Sequence, residues 1–569
     1  MMVGTVSQAQ KNIPYPSYPR QKYLNAYAQD DVKITKRLTA NLGILWDFTF
    51  AGHQQGGQWT NFDLTQQNPN WGNYKGAWVF AKNSGSTFQT EQNYHQFAPH
   101  IGAAFQLTHN LVARASYGLY YIPLGELNSG FGYNFPSQQA EFWTGTNTVP
   151  NVDPWISVFN WANGYPGTTQ YLARNISQTS MGYHNPYYID PKTLFLGHTQ
   201  NFYAGLQYQM GKNIGWDVRY VGTRGGDLHD NNETVSINYP SFSTYQAVYN
   251  AGHINDQICN AAEASADNVP YPFAGFCAPA YAAIAPIPQA AGQSSTEVFD
   301  TDKQIGASSY NAMVVQFKAT GAHGVHADLN YTLSHLTGSN LARRTSAYNG
   351  GYGYQSAADI PDSKHWVQPT DQKHLAEGYV TYDLPIGRGK RWLSGSKAMD
   401  EIFGGWTIGG DVMYGSGNPL GAVPSPFSYP FFYAELRDDF ANGANAYNMK
   451  NRFHGHNVDL ANTTDAANND FNTANFTTPT GGTLGTTPFI YDKWRWNSTP
   501  ASENGEIRKG FGFGRDNRVR MTIRAEYFDL FNRHYINSPD LNPSDTTFGQ
   551  VTGVSSTTRT GQLSARVDF

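Results

Sequence analysis

The last nine residues, GQLSARVDF, constrain this chain more than any other stretch. Gly561, Leu563, Ala565, Val567 and Phe569 fall on one side, and Gln562, Ser564, Arg566 and Asp568 on the other. Strict period-two alternation marks a strand with one apolar and one polar face. The pattern recurs just upstream, where Val519, Met521, Ile523, Ala525 and Tyr527 alternate with Arg518, Arg520, Thr522, Arg524 and Glu526. Charges at every second position are excluded from a lipid face and are ordinary on the wall of a watery lumen. These arginines and Glu526 therefore read as lumen wall, not as a catalytic cluster.

The same grammar runs through the chain. Tyr23 to Ile34 and Leu38 to Phe50 read as strands around a short turn at Thr35–Arg37, followed by a Gly-, Gln- and Asn-rich loop to about Gln96. Phe97–Leu107 and Leu111–Tyr121 repeat the unit, as do Thr199–Met210 with Ile214–Tyr220, and Tyr310–Ala319 with Val325–Leu333. Each pair is joined by a few residues and separated from the next by a very long loop. This asymmetry predicts an all-β fold: an antiparallel transmembrane β-barrel with short periplasmic turns and long extracellular loops. Lys373–Leu384 and Gly405–Tyr414 are further strands, joined by PIGRGKRWLSGSKAMDEIFG. Strand direction demands one more strand before Val519, near Phe489–Phe513, where the alternation is too weak to place it. The total is about 13 strands. Residues 1–22, with Pro14, Pro16 and Pro19, read as a loop remnant.

Composition permits this reading. Charged residues are 14% and aromatics 15%, while mean hydropathy is −0.52, which fits strands exposing only alternate residues to lipid. No apolar run reaches the ~18 residues a membrane-spanning helix needs. Net charge is −5 with no basic block, so nucleic acid is not an expected partner. Cys259 and Cys277 share one inferred loop, where a disulfide suits an oxidising compartment and two unpaired thiols are the alternative. The start, MMVGTVSQAQKNIPYP, lacks a basic region followed by an apolar one, so no signal peptide is expected there.

Several segments resemble one family in order. YAQDDVKITKRLTANLGILWD is similar to the signature that opens the later half of the barrel in Oar-like TonB-dependent receptors. FAPHIGAAFQL with LVARASYGLYY, DVRYVGTRGGDLHDNNETVSIN, and SSYNAMVVQFKATGAHGVHADLNYTLSH resemble its following hairpins. DQKHLAEGYVTYDLPIGRGKRWLSG, GGWTIGGDVMYGSGNPL, RAEYFDLFNRHYIN and LSARVDF complete the series. The resemblance spans Tyr23 to Phe569. It implies a 22-stranded barrel filled by an N-terminal plug, energised by a TonB complex through an N-terminal box. This sequence shows neither plug nor box, so the chain reads as the C-terminal barrel portion, 23–569, of a longer or split receptor that by itself does not transport. TonB would be met only through the missing N-terminal part. The resemblance also implies outer-membrane lipid as surroundings. Leu563, Val567 and Phe569 resemble the terminal signal read by the barrel assembly machinery.

Motifs of catalysis are sparse. GFGFG at Gly510–Gly514 is not a dinucleotide fingerprint, GRGKR at Gly387–Arg391 is not a phosphate loop, and GxSxG, HExxH and CxxC are absent. His454 and His456 with Asp459, Asp465 and Asp470 read as a hydrated loop; no metal, cofactor or enzymatic activity is expected. Trp143, Trp155, Trp161 and Tyr165 share one inferred extracellular loop. Such rings either pack loops together or stack on a small ligand: a siderophore, a glycan or a peptide. The competing reading is a secreted β-rich protein that binds or cleaves carbohydrate, with its apolar faces turned inward.

Overall fold

The computed structural model describes the chain except residues 1–8, 15–18, 55–59, 69–73, 81–90, 123–137, 144–186, 190, 193–194, 230–236, 290–297, 302–303, 340–365, 388–389, 394, 396, 422, 427–436, 442–468, 470, 480–484, 488–489, 497–501, 514–517, 534 and 556–558. Thirteen strands follow one another in a single antiparallel sheet, each beside its predecessor in sequence. They are β1 (Tyr23–Lys33), β2 (Leu38–Thr49), β3 (Phe97–Gln106), β4 (Leu111–Tyr121), β5 (His198–Met210), β6 (Ile214–His229) and β7 (Gln304–Ala322). Then come β8 (Val325–Gly338), β9 (His374–Asp383), β10 (Trp406–Gly415), β11 (Ser502–Phe513), β12 (Val519–Phe528) and β13 (Thr560–Asp568). Such an uninterrupted meander is the topology of an outer-membrane barrel.

Cross-strand register shows why the alternation in sequence matters. Gln207 faces Asp217, Asp217 faces Gln316, Gln316 faces Asn330, and Asn330 faces Glu377. One residue along, Tyr208 faces Trp216, Trp216 faces Phe317, and Phe317 faces Leu329. A polar ring and an apolar ring thus run side by side on opposite faces of one sheet. The apolar ring is open to the surroundings: Leu42, Trp216 and Leu329 are 48%, 42% and 36% exposed. In water this surface would be a severe aggregation liability; against acyl chains it is the required surface. It is the reverse of the secreted alternative, in which those side chains would share an interior.

Connections differ sharply between the two ends. At the periplasmic end, besides 384–405 and 514–518, they are tight turns at 34–37, 107–110, 211–213 and 323–324. The last of these turns through left-handed backbone at Gly321, His323 and Gly324, and a Cβ on Gly324 would stand 2.9 Å from the Asp383 carbonyl oxygen. At the extracellular end they span 50–96, 122–197, 230–303, 339–373, 416–501 and 529–559.

Three details bear on the sequence expectation. The strand sought near Phe489–Phe513 is β11, pairing with β10 and β12. Residues 1–22 are not simply loop: Ala9–Pro14 pairs with Gln138–Trp143, and Pro19–Arg20 with His53–Gln54. The connection between β9 and β10, to which the sequence pattern assigns no element, carries a helix, Lys397–Phe403. No described helix is long and apolar enough to cross a membrane.

Candidate functional site

Two regions gather functional side chains: the lumen wall and the crown above it. On the wall, Arg219 pairs with Asp217 at 2.7 Å, and Gln207 donates to the same carboxylate at 2.7 Å. Lys318 lies 3.3 Å from Asp328, which also accepts from Gln316 at 2.8 Å. Arg524 bridges Glu506 at 2.5 Å and Glu526 at 2.7 Å, and Gln562 donates to Glu526 at 2.5 Å. Lys318 and Asp328, and Gln562 and Glu526, are direct register partners, whereas Arg219–Asp217 and Arg524–Glu526 pair two residues apart on one strand and Arg524 reaches Glu506 diagonally. Arg520, facing Asp568 in register, completes the row on β12. These residues form a hydrogen-bonding wall that can guide a polar solute.

A trough of about 460 Å³ opens on this polar face between β1 and β6. Asn41, His100, Ser116, Asn201, Tyr203 and Thr223 line it. His100 Nε2 lies 3.0 Å from the Leu119 carbonyl, and its ring sits 4.5 Å from that of Tyr120. The hollow of about 580 Å³ on the opposite face, lined by Ala103, Phe105, Ala115, Ala204 and Leu206, faces lipid.

The crown contains a small folded unit in the connection between β6 and β7. Three helices, α1 (Phe242–Asn250), α2 (Ala261–Ala266) and α3 (Ala280–Ala283), enclose Tyr245, Val248, Ile254, Ile258, Val269 and Phe276. Cys259 and Cys277 are disulfide-bonded across it. Ser241 caps α1 through Thr244 N, and Asn260 caps α2 through Ala262 N and Glu263 N. His253 Nδ1 sits 2.8 Å from Asp256 and 3.3 Å from Asp267. The hydrogen bond to Asp256, with the charges of both carboxylates, raises the imidazole pKa against a smaller opposing desolvation. Sequence reading missed this unit because it searched for strands; the caps at Ser241 and Asn260, ahead of Tyr245/Val248 spacing, were the available signal.

A second crown cluster packs Leu420, Val423, Phe471 and Phe476 against Phe548. It draws the connections 416–501 and 529–559 together. Of the aromatic residues proposed for ligand contact, Trp143 ends the strand paired to Ala9, while Trp155, Trp161 and Tyr165 lie outside the described residues. So do His454, His456, Asp459, Asp465 and Asp470. Leu563 and Val567 lie on the outward face of β13 and are 77% and 44% exposed; Phe569 follows at 98%.

Residues 1–562 match the family model described as the outer membrane beta barrel domain. No curated protein sequence matches the chain. Among solved structures, the ferric yersiniabactin uptake receptor FyuA from Yersinia pestis is 10% identical, with 97% of this chain and 46% of that one covered at a TM-score of 0.37. The pyoverdine outer membrane receptor FpvA from Pseudomonas aeruginosa is also 10% identical, covering 97% and 42% at 0.37. The outer membrane transporter YddB from Escherichia coli is 8% identical, covering 96% and 54% at 0.36. The chain therefore spans only about half the length of these proteins, or less. With its lipid-facing meander and a family match over nearly all its length, the chain belongs to the outer membrane β-barrel domain family and resides in the outer membrane.

Proposed function

We propose that this chain is the barrel portion of an Oar-like TonB-dependent receptor, capturing a small ligand on its crown for energised uptake and catalysing no reaction itself. One observation carries the reading: a wall of paired charges on one face of the thirteen-strand sheet accompanies a crown in which the described connections 230–303, 416–501 and 529–559 build cores of their own. A passive structural barrel has no need of both. In this reading the aromatic residues Trp143, Trp155, Trp161 and Tyr165 meet the ligand first. Asn41, His100, Asn201 and Tyr203 then offer donors and acceptors along its descent. The energised step needs a plug and a TonB-contacting box, which strands β1 to β13 do not supply. The chain alone then binds without transporting.

The test uses outer membranes from cells that lack other receptors and express this chain. Ferric siderophores, oligosaccharides and short peptides are titrated against intrinsic tryptophan fluorescence, and accumulation is followed in parallel. Saturable binding of one class without energised accumulation is expected. Accumulation by the chain alone would overturn the division of labour, and absence of saturable binding across all three classes would overturn the receptor reading.

A further inference from the structure

The connection between β9 and β10 differs from the other described periplasmic turns. It holds helix α4 (Lys397–Phe403) and five exposed apolar side chains: Trp392, Leu393, Met399, Ile402 and Phe403, between 37% and 60% exposed. Its fastening is specific. Lys509 Nζ donates to the carbonyls of Ile402 at 3.1 Å and Gly404 at 2.6 Å, and Trp406 Nε1 donates to Ile402 at 3.2 Å. Lys509 and Trp406 are register partners on the outward, lipid-facing side of β11 and β10. Lys509 is only 6% exposed and sits about 5 Å over the rings of Trp406 and Phe511. A lysine on the lipid face is thus neutralised by carbonyls and rings, and its role is to hold the end of α4 against the outside of the barrel.

The charge around this foot is also one-sided. Residues 385–403 contain Arg388, Lys390, Arg391 and Lys397 against Asp400 and Glu401. Lys390 and Arg391 are exposed, and the Arg391 guanidinium lies 5.8 Å over the Trp392 ring. Tryptophan beside basic residues, at the rim of a lipid-facing surface, is the composition of a membrane interface.

We infer that this foot binds anionic phospholipid of the inner leaflet of the outer membrane. Trp392, Ile402 and Phe403 enter the boundary of the acyl chains, and Lys390 and Arg391 take the headgroup phosphate. Lipid is the occupant because Lys509 and Trp406 fasten the end of α4 to the lipid-facing side of β11 and β10. The turn at 34–37 makes a natural control: Lys36 and Arg37 are basic, but no helix accompanies them and Ile34 is the exposed apolar residue beside them.

The full chain in detergent is exposed to phosphatidylglycerol or phosphatidylethanolamine, and retained lipid is counted by native mass spectrometry. Only variants that keep the folded, unheated gel mobility are compared. Phosphatidylglycerol should be retained about five-fold more than phosphatidylethanolamine. The preference should vanish in Lys390→Glu/Arg391→Glu, and retention of both lipids should fall in Ile402→Ser/Phe403→Ser. Lys36→Glu/Arg37→Glu should retain both lipids as the wild type does. The inference is overturned by equal retention of the two lipids, by an unchanged preference in Lys390→Glu/Arg391→Glu, or by an equal loss in the Lys36/Arg37 variant. A foot-dependent doubling of mass would also overturn it, making a second copy the occupant.

Discussion

Arg495 and Asp371 form a buried ion pair across 124 residues of sequence. The Asp371 side chain is fully buried and that of Arg495 is 12% exposed. The guanidinium also donates to the Asp371 carbonyl at 2.6 Å and to Gly417 at 3.3 Å, while Leu336 N–H donates to the Asp371 carboxylate at 2.5 Å. One carboxylate therefore ties the top of β8 and the approach to β9 to the strand Ile490–Trp496 of the crown. A crown built from long connections would otherwise depend on their weak local order.

Removing Arg495 leaves the buried Asp371 carboxylate with only the Leu336 N–H and, 3.6 Å away, His335, which costs about 3 kcal/mol. Arg495→Met should loosen the crown without disturbing the sheet. Limited proteolysis checks it: cleavage within 416–501 should quicken by about a hundred-fold or more, while the barrel fragment keeps its folded mobility.

The position of β11 shows what the sequence could and could not convey. Its lipid-side residues are Glu503, Gly505, Ile507, Lys509, Phe511 and Phe513, so a carboxylate and an ammonium interrupt the apolar row. Each makes tertiary contacts that no local pattern reveals. Glu503 accepts from Arg533 and from Tyr414, both at 2.6 Å, and Lys509 meets the end of α4. By contrast β12 and β13 were legible because their charges all face the lumen. Helices α1 to α3 were hidden for a different reason: a short disulfide-bonded cap closes its own core and owes nothing to strand periodicity. The Arg495–Asp371 pair was invisible because nothing in a sequence joins residues so far apart.

Asp438 makes the crown sensitive to pH. Burial raises its pKa from 3.8 to about 6, a hydrogen bond with Ser425 opposes the rise, and Asp439 adds to it. Its Oδ1 is buried without a hydrogen-bond partner among the described residues. A carboxyl whose folded pKa is raised stabilises the fold below its unfolded pKa, and that contribution is lost as pH climbs through the folded value. Crown stability should therefore fall between about pH 4 and pH 6, by on the order of 2 kcal/mol. Asp438→Asn should remove the slope and slow proteolysis of the crown at pH 7 but not at pH 4.

Phe569 stands at the outward edge of the last strand and is almost fully exposed. If assembly machinery reads the outward row Leu563, Val567 and Phe569, deleting Phe569 should lower the amount of folded barrel in the outer membrane several-fold. The purified variant should still fold into detergent at the wild-type rate. Gel mobility before and after heating reads both quantities, and an equal loss in detergent would mean that Phe569 stabilises the sheet instead of addressing it.

The two faces of the sheet can be compared at neighbouring positions. Val315 faces Val218 and Tyr331 on the lipid side, whereas Thr332 faces Val314 and Leu375 on the lumen side. Val315 and Thr332 are both well inside their strands. Arginine at mid-depth on a lipid face costs about 2–4 kcal/mol, because the guanidinium must thin the bilayer or drag water with it. On the lumen face the same side chain meets water and neighbours such as Asn330 and Glu377, and the cost should be about 1 kcal/mol or less. Urea titration of the chain folded into phosphatidylcholine vesicles measures both. Val315→Arg should lower the midpoint strongly and Thr332→Arg only slightly. Equal effects would mean that the two faces meet the same solvent, which no lipid-embedded barrel permits.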